Sequence, residues 1–146
     1  MKILIDADGC PVVNETIQIA NEFGLKVILL CDTAHIMQRE GAETIVISQG
    51  VDAVDFALVN RVSKGDLIIT QDYGLAAMVL SKEAYVLNQN GNQYTNENID
   101  SLLFSRYVSK KIRNAGGRVK GPKKRKKEDN TNFEQNLRKL LNSLIS

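Results

Sequence analysis

Through its first ninety residues the chain alternates short apolar runs with stretches in which apolar side chains recur every three or four positions. The runs Lys2–Asp6, Lys26–Cys31, Thr44–Ser48, Leu67–Thr70 and Ala84–Leu87 are predicted strands. Most are rich in Ile, Val and Leu without strict alternation, the pattern of strands covered by helices on both faces. Between them, Pro11–Phe23 carries Val12, Thr16, Ile19, Ala20 and Phe23 near helical spacing, with Pro11 suited to a first turn and Gly24 to a stop. Val51–Val62 gathers Val51, Val54, Leu58 and Val62 on one face, and Leu75–Ser81 does so with Leu75, Ala76, Val79 and Leu80. Ala34–Arg39 is either a short helix or an irregular connection. Alternating strands and helices predict an α/β fold, a three-layer α/β/α sandwich around a mainly parallel five-stranded sheet.

Beyond Leu87 the pattern changes. Asn88–Asn98 is polar and turn-rich, and a long helix is predicted from Glu97 to Arg113, stopping at Gly116-Gly117. Arg118–Lys127 holds Gly121-Pro122 and a dense run of positive charge, so an exposed link is expected there. A last helix over Phe133–Ile145 presents Phe133, Leu137, Leu140, Leu141 and Leu144 as an apolar stripe. The expected organisation is a core over 1–117, a basic linker over 118–130 and a helix over 131–146. That helix packs on the core or on a second copy, so a homodimer is one expected outcome.

A chain of 146 residues suits one domain that needs no disulfide or structural metal to fold. Cys10 and Cys31 belong to no Cys-x-x-Cys or Cys/His cluster, which argues against a zinc site and for reduced thiols. Cys10 has one histidine in the chain, His35, as a possible activating base, which makes a Cys-His nucleophile a poor expectation. No apolar stretch approaches the ~20 residues a membrane span needs. Met1-Lys2 leads directly into a strand, so a cytoplasmic protein with no membrane partner is expected. The net charge of +2 hides an asymmetry: Lys120, Lys123, Lys124, Arg125, Lys126 and Lys127 crowd one segment, whereas aspartates dominate the first half. A basic segment beside an acidic site suggests a polyanionic partner held near metal ions, with nucleic acid the expected class.

The acids recur at equivalent places: Asp6 and Asp8 after the first strand, Asp32 after the second, Asp52 and Asp55 opening the helix after the third, and Asp72 after the fourth. Ligands of open parallel sheets collect outside the carboxyl ends of the strands, at the point where strand order reverses. A reversal beside the first strand would bring Asp6, Asp8 and Asp72 together, with Asp52 or Asp55 above them. Such a group repels itself unless a cation neutralises it, and hard carboxylate ligands suit Mg²⁺ or Mn²⁺. Asp6, Asp52, Asp55 and Asp72 are therefore the candidate metal ligands, and Asp6, Asp8, Thr70 and Asp72 the candidate catalytic groups. Gln71 and Asn14 are suited to positioning water or phosphate. The plainer alternative makes Asp8-Gly9 a turn and Asp6, Asp8 and Asp72 helix caps. Asp66 precedes its strand and belongs to a turn at the other end of the sheet.

The strings Ile5-Asp6-Ala7-Asp8-Gly9-Cys10-Pro11-Val12, Gly50-Val51-Asp52-Ala53-Val54-Asp55 and Gly65-Asp66-Leu67-Ile68-Ile69-Thr70-Gln71-Asp72-Tyr73-Gly74-Leu75-Ala76, followed by Gly121-Pro122 ahead of Phe133, resemble the YaiI/YqxD family of bacterial proteins. The resemblance runs over nearly the whole chain. It implies a PIN-like domain, a group whose members are commonly metal-dependent ribonucleases. Through it, Asp6 corresponds to the acid ending the first strand, and Thr70-Gln71-Asp72 is similar to a Thr-x-Asp element after the fourth. Arg125-Lys126 and Asp129-Asn130 depart from the Arg-Thr and Asp-Arg usual in that family's basic linker.

Three functions compete. The first is a Mg²⁺- or Mn²⁺-dependent nuclease whose Lys/Arg segment attracts phosphates. The second starts from Asp6-Ala7-Asp8-Gly9, which is similar to the first motif of haloacid-dehalogenase-like phosphatases, with Asp6 as nucleophile, Asp8 as acid/base and Ser48 as a second motif. It needs paired acids after one strand, whereas Asp66 and Asp72 flank a strand on opposite ends. The third is a non-catalytic nucleic-acid-binding module whose acids are structural.

Overall fold

Ile3, Leu4 and Ile5 of the first strand are all completely buried, which puts that strand in the middle of the molecule. The computed structural model describes residues 1–48, 50, 53–119 and 124–145. In chain order the elements are β1 (Lys2–Asp6), α1 (Val13–Glu22), β2 (Lys26–Asp32), β3 (Glu43–Ile47), α2 (Ala53–Arg61), β4 (Leu67–Ile69), α3 (Tyr73–Leu80), β5 (Tyr85–Leu87), β6 (Gln93–Tyr94), α4 (Ile99–Asn114) and α5 (Lys127–Ile145). The strands form one sheet in the order β3-β2-β1-β4-β5-β6. All neighbours are parallel except β5 and β6. Ile5 of β1 sits opposite Leu29 of β2 and Ile69 of β4.

Successive strand residues point to opposite faces, so an unbroken apolar run feeds two cores. Ile3, Ile5, Leu29, Leu67 and Ile69 pack with α1 and α5 on one face. Leu4, Ile28, Leu30, Ile68 and Val86 pack with α2, α3 and the start of α4 on the other. This is the expected three-layer α/β/α sandwich, with six strands among the described residues rather than five. The additional strand, β6, lies inside Asn88–Asn98. Asn88 turns the chain by accepting the Asn90 and Asn92 N–H groups on its side-chain oxygen at 2.8 and 2.9 Å, and Tyr94 is buried opposite Val86. Two residues of strand are too few for a periodic signal.

Smaller departures have local causes. Pro11 lies in a turn ahead of α1, which starts at Val13. The connection over 34–39 is irregular, and α2 begins, within the described residues, at Ala53. Helix α5 starts at Lys127, ahead of the expected boundary, because Asp129 Oδ2 accepts the Lys126 N–H at 2.7 Å and the acids Glu128 and Asp129 occupy the positive end of the helix.

The stripe on α5 is buried in its own chain. Phe133, Leu137 and Leu141 are fully covered among β1, β4 and α1, each contributing about 1.5–3 kcal/mol by leaving water. Arg138 pairs with Glu22 of α1. Gly91 takes φ +81°, and a Cβ there would stand 2.6 Å from Asn136 Cβ and 3.1 Å from Phe133 Cα. Glycine thus lets α5 close against the β5–β6 turn.

Candidate functional site

Because β1 and β4 are parallel neighbours, their carboxyl ends deliver Asp6 and Thr70 side by side. The Thr70 hydroxyl donates to Asp6 Oδ2 at 3.0 Å and accepts the Asp72 N–H at 3.1 Å. Asp72 in turn caps α3, its Oδ1 accepting the Leu75 N–H at 3.1 Å. One buried hydroxyl therefore fixes the strand-end acid relative to the helix-cap acid. The Asp8-Gly9 turn is held to the β4 side by Gln71 Nε2, which donates to Gly9 O at 3.0 Å, and Gly9 takes φ +69°, a conformation that favours glycine. Capping and turn roles are thus real for Asp72 and for the Asp8-Gly9 step. They coexist with convergence on a crevice.

That crevice has two hollows, of about 430 and 280 Å³, and Asp6, Asp8 and Asp72 line both. The larger also meets Cys10, Gln71, Gln89 and Arg106, whereas the smaller is closed by Asp32, Ser48 and Asp55. Of the residues expected to group with Asp6, Asp8 and Asp72, Thr70 lines the larger hollow and Asp55 the smaller. Asp52, Lys120 and Lys123 lie outside the described residues. Asp66 sits at the far end of β4, bonded to Lys2 and to the Ser63 N–H, so β4 does not carry the pair of acids at one end that the phosphatase reading needs.

Burial pushes the Asp6 carboxyl above the usual carboxylate range; the Thr70 hydrogen bond opposes this, and the charges of Asp72 and Asp8 reinforce it. Arg106 is bridged to this group, with Nη1 3.6 Å from Asp72 Oδ1. A carboxylate held against its own electrostatics beside two others, with oxygen donors and no thiolate, is chemically suited to a hard divalent cation such as Mg²⁺ or Mn²⁺. Burial also pushes the Cys10 thiol up to about 11, so it is protonated at neutral pH and is not an activated nucleophile.

On the β2 side, Asp32, whose position after its strand was apparent from the sequence, forms a second group with Asp8 and His35. His35 Nδ1 lies 2.9 Å from Asp32 Oδ1 and 3.7 Å from Asp8 Oδ1. The hydrogen bond to Asp32, then the charges of Asp32 and Asp8, raise the His35 pKa; the same hydrogen bond lowers that of Asp32. These three residues offer ligand atoms within 4.8 Å of one another. They extend the acidic surface toward β2.

The basic segment divides. Lys124, Lys126 and Lys127 are exposed. Arg125 instead turns inward and donates to Asn130 Oδ1, Asn90 Oδ1 and Gln89 O at 2.7, 2.8 and 2.8 Å. Its guanidinium fastens the start of α5 to the loop whose Gln89 lines the crevice, a use that composition alone does not distinguish from solvated charge. Arg106 was also missed, since only the packing of α4 on α3 carries it to the crevice. The helical phase of Ile99, Leu102 and Leu103 was the available signal, because Arg106 falls on the same face.

No helix among the described residues is long and apolar enough to cross a membrane. Among solved structures, a single-substitution mutant of Rae1 (YacP) from Bacillus subtilis is a distant likeness, with TM-score 0.48 and 13% identity over 98% of this chain and 99% of that one. A UPF0178 protein of Exiguobacterium sibiricum is 57% identical over 141 residues, covering 97% of this chain and 96% of its own. One from Clostridium acetobutylicum is 48% identical over 143 residues, covering 97% of each chain. The family model described as "Uncharacterized BCR, YaiI/YqxD family" matches residues 4–143, a span that includes every crevice acid and all but the C-terminal end of the helix that closes the core, and the chain belongs to that family.

Proposed function

We propose that the crevice is the active site of a metal-dependent nuclease that hydrolyses phosphodiester bonds, with RNA the expected substrate. The observation that carries the proposal is the convergence of Asp6, Asp8 and Asp72 on a hollow of about 430 Å³ at the β1–β4 switch point, with Asp6 held above its ordinary pKa. Asp6 and Asp72, with Asp55 from the facing helix, line one hollow and would hold a divalent cation there; Asp52 is proposed for the same role from the sequence. A Mg²⁺ or Mn²⁺ ion held there would supply Lewis acidity toward the phosphoryl group.

The remaining work falls to the chain's own groups. Thr70 orients the Asp6 carboxylate, and Gln71 fixes the turn that carries Asp8. Asp8 is exposed at the crevice and takes the proton of the attacking water as its oxygen bonds to phosphorus. The P–O bond opposite breaks, and the departing oxygen gains a proton from solvent at the open mouth. Arg106, at the rim, supplies a positive contact for a non-bridging phosphate oxygen.

Cleavage of mixed single-stranded and structured RNA with Mg²⁺ or Mn²⁺ tests this, comparing the natural chain with Asp6→Asn and Asp72→Asn. Metal-dependent cleavage that vanishes in both folded variants is the expected result. Cleavage that survives both substitutions, or none by the natural chain, overturns the site; RNA binding that persists without any cleavage moves the reading to a binding module.

A further inference from the structure

Helix α4 leaves the body of the protein halfway along its length. Ile99 is buried, and Leu102 and Leu103 are half-buried on the core beneath α3, whereas every residue from 104 to 114 except half-buried Ser109 is exposed. The inner face does not end where the apolar contacts end. Residues three, four and seven apart share a helix face, so Arg106 continues the stripe of Ile99, Leu102 and Leu103, and Lys110 and Arg113 continue that of Arg106. The placement of Arg106 is independently visible, since it lines the larger hollow and reaches Asp72. Lys110 and Arg113 have no acid partner among the described residues. At 1.5 Å of rise per residue, the three cations step outward from the crevice by about 6 Å and then about 4.5 Å.

Tyr107 stands beside this row, 56% exposed, with the Lys111 ammonium 5.5 Å from its ring centroid. The helix carries Arg106, Lys110, Lys111 and Arg113 against one acid, Asp100, in its first turn. A large exposed ring next to unpaired cations complements a flexible polyanion with stackable groups, and does not complement an acidic crevice wall. The basic segment near residue 125 is a weaker candidate for this work, because Arg125 is already bonded on all three sides.

We infer that the inner face of α4 is the track for a single-stranded nucleic acid leaving the crevice, with Arg106, Lys110 and Arg113 following its phosphates and Tyr107 stacking on a base. The inference rests on the nuclease reading for the direction of the strand, but its binding prediction stands alone. The strand passes from the acids past Arg106 along the exposed half of the helix. A base free to stack on Tyr107 is one not already stacked within a duplex, which favours a single strand.

The test measures binding in a chelator, where cleavage is silent, using fluorescein-labelled single-stranded oligouridine and a hairpin RNA of equal length across a salt series. The Lys110→Ala/Arg113→Ala double variant is expected to bind the single strand about tenfold more weakly and to lower the log–log salt slope by about 1.4, the value for two released contacts on a single strand. Tyr107→Ala is expected to lose about tenfold, with Tyr107→Phe restoring it. These positions are exposed, so melting temperatures should match the natural chain. Single-strand affinity and slope equal to the natural chain's in the variants, no binding by the natural chain, or loss seen only with Lys124→Ala/Lys126→Ala overturns the track. Equal losses for hairpin and single strand overturn the single-strand assignment. Cleavage assayed separately with Mg²⁺ keeps the two readings apart: binding through α4 without cleavage sinks the nuclease, and cleavage indifferent to the α4 variants sinks the track.

Discussion

Two aspartates at opposite ends of the same pair of strands have opposite circumstances. At the amino end, Asp66 is 3% exposed and accepts from the Lys2 ammonium at 2.6 Å, the Lys2 N–H at 3.1 Å and the Ser63 N–H at 2.8 Å. Burial alone would raise its pKa, but the Lys2 hydrogen bond, the two backbone donors and the ammonium charge outweigh it and leave the carboxyl below its ordinary value. At the carboxyl end, Asp6 has burial without such company. It receives one hydroxyl and faces two further acids, and its pKa is raised. One end of the sheet uses an acid to join β1 to β4; the other keeps an acid whose charge the chain itself leaves uncompensated. Proteins retain such a group where activity requires it, because removing it generally costs no stability.

The largest effect that sharpens this contrast is Asp66→Ala. Leaving Lys2 and two backbone donors without their acceptor should cost about 3 kcal/mol, read as a drop in melting temperature of about 6–12 °C. Asp6→Asn should behave in the opposite way, with RNA cleavage reduced at least about a hundredfold and a melting temperature no lower than that of the natural chain. A fall as large as that of Asp66→Ala would break the comparison by making both ends structural. Thr70→Val removes a donor to Asp6 and an acceptor for the Asp72 N–H, so it should lose about tenfold in cleavage and about 1–2 kcal/mol in urea unfolding.

The smallest effects are in the pH dependence. Asp66, with its folded pKa depressed, contributes stability that is complete above the unfolded value near ~3.9 and is lost as pH falls through the lower folded value. Asp6, with its folded pKa raised, costs stability above that folded value, and the cost fades as pH falls toward ~3.9. Urea unfolding at a series of acidic pH values should therefore show the deficit of Asp66→Ala narrowing below ~3.9, and any gain of Asp6→Asn narrowing in the window just above it.

Much of this contrast was visible in the amino-acid order. The apolar runs located β1 to β5, their lack of alternation implied two covered faces, and the position of each acid relative to its run separated Asp66 from Asp6 and Asp72. What stayed hidden depends on distant parts of the chain. Strand β6 is set by an Asn88 turn and a two-residue pairing. Arg106 reaches the crevice only through the packing of α4 on α3, and Arg125 differs from its lysine neighbours only by where the β5–β6 turn happens to lie. His35 is likewise joined to Asp8 and Asp32 by the meeting of two strand ends. Local periodicity reports which face is buried, and says nothing about which remote loop will lie above it.

The seating of α5 has a consequence for how the protein comes into being. Synthesis is vectorial, and β1, β2 and β4 leave the ribosome well before Phe133, Leu137 and Leu141, which share with α1 the cover of one face of those strands. Until those residues arrive, the face of Ile3, Ile5, Leu29 and Ile69 has α1 as its cover without α5, and the loop bearing Gln89 lacks both its Arg125 anchor and the Asn136 side chain that donates to Asn90 O. The crevice therefore takes its final form only after nearly all of the described chain has been made. A nascent polypeptide still attached to its own message would carry the acids without the finished site.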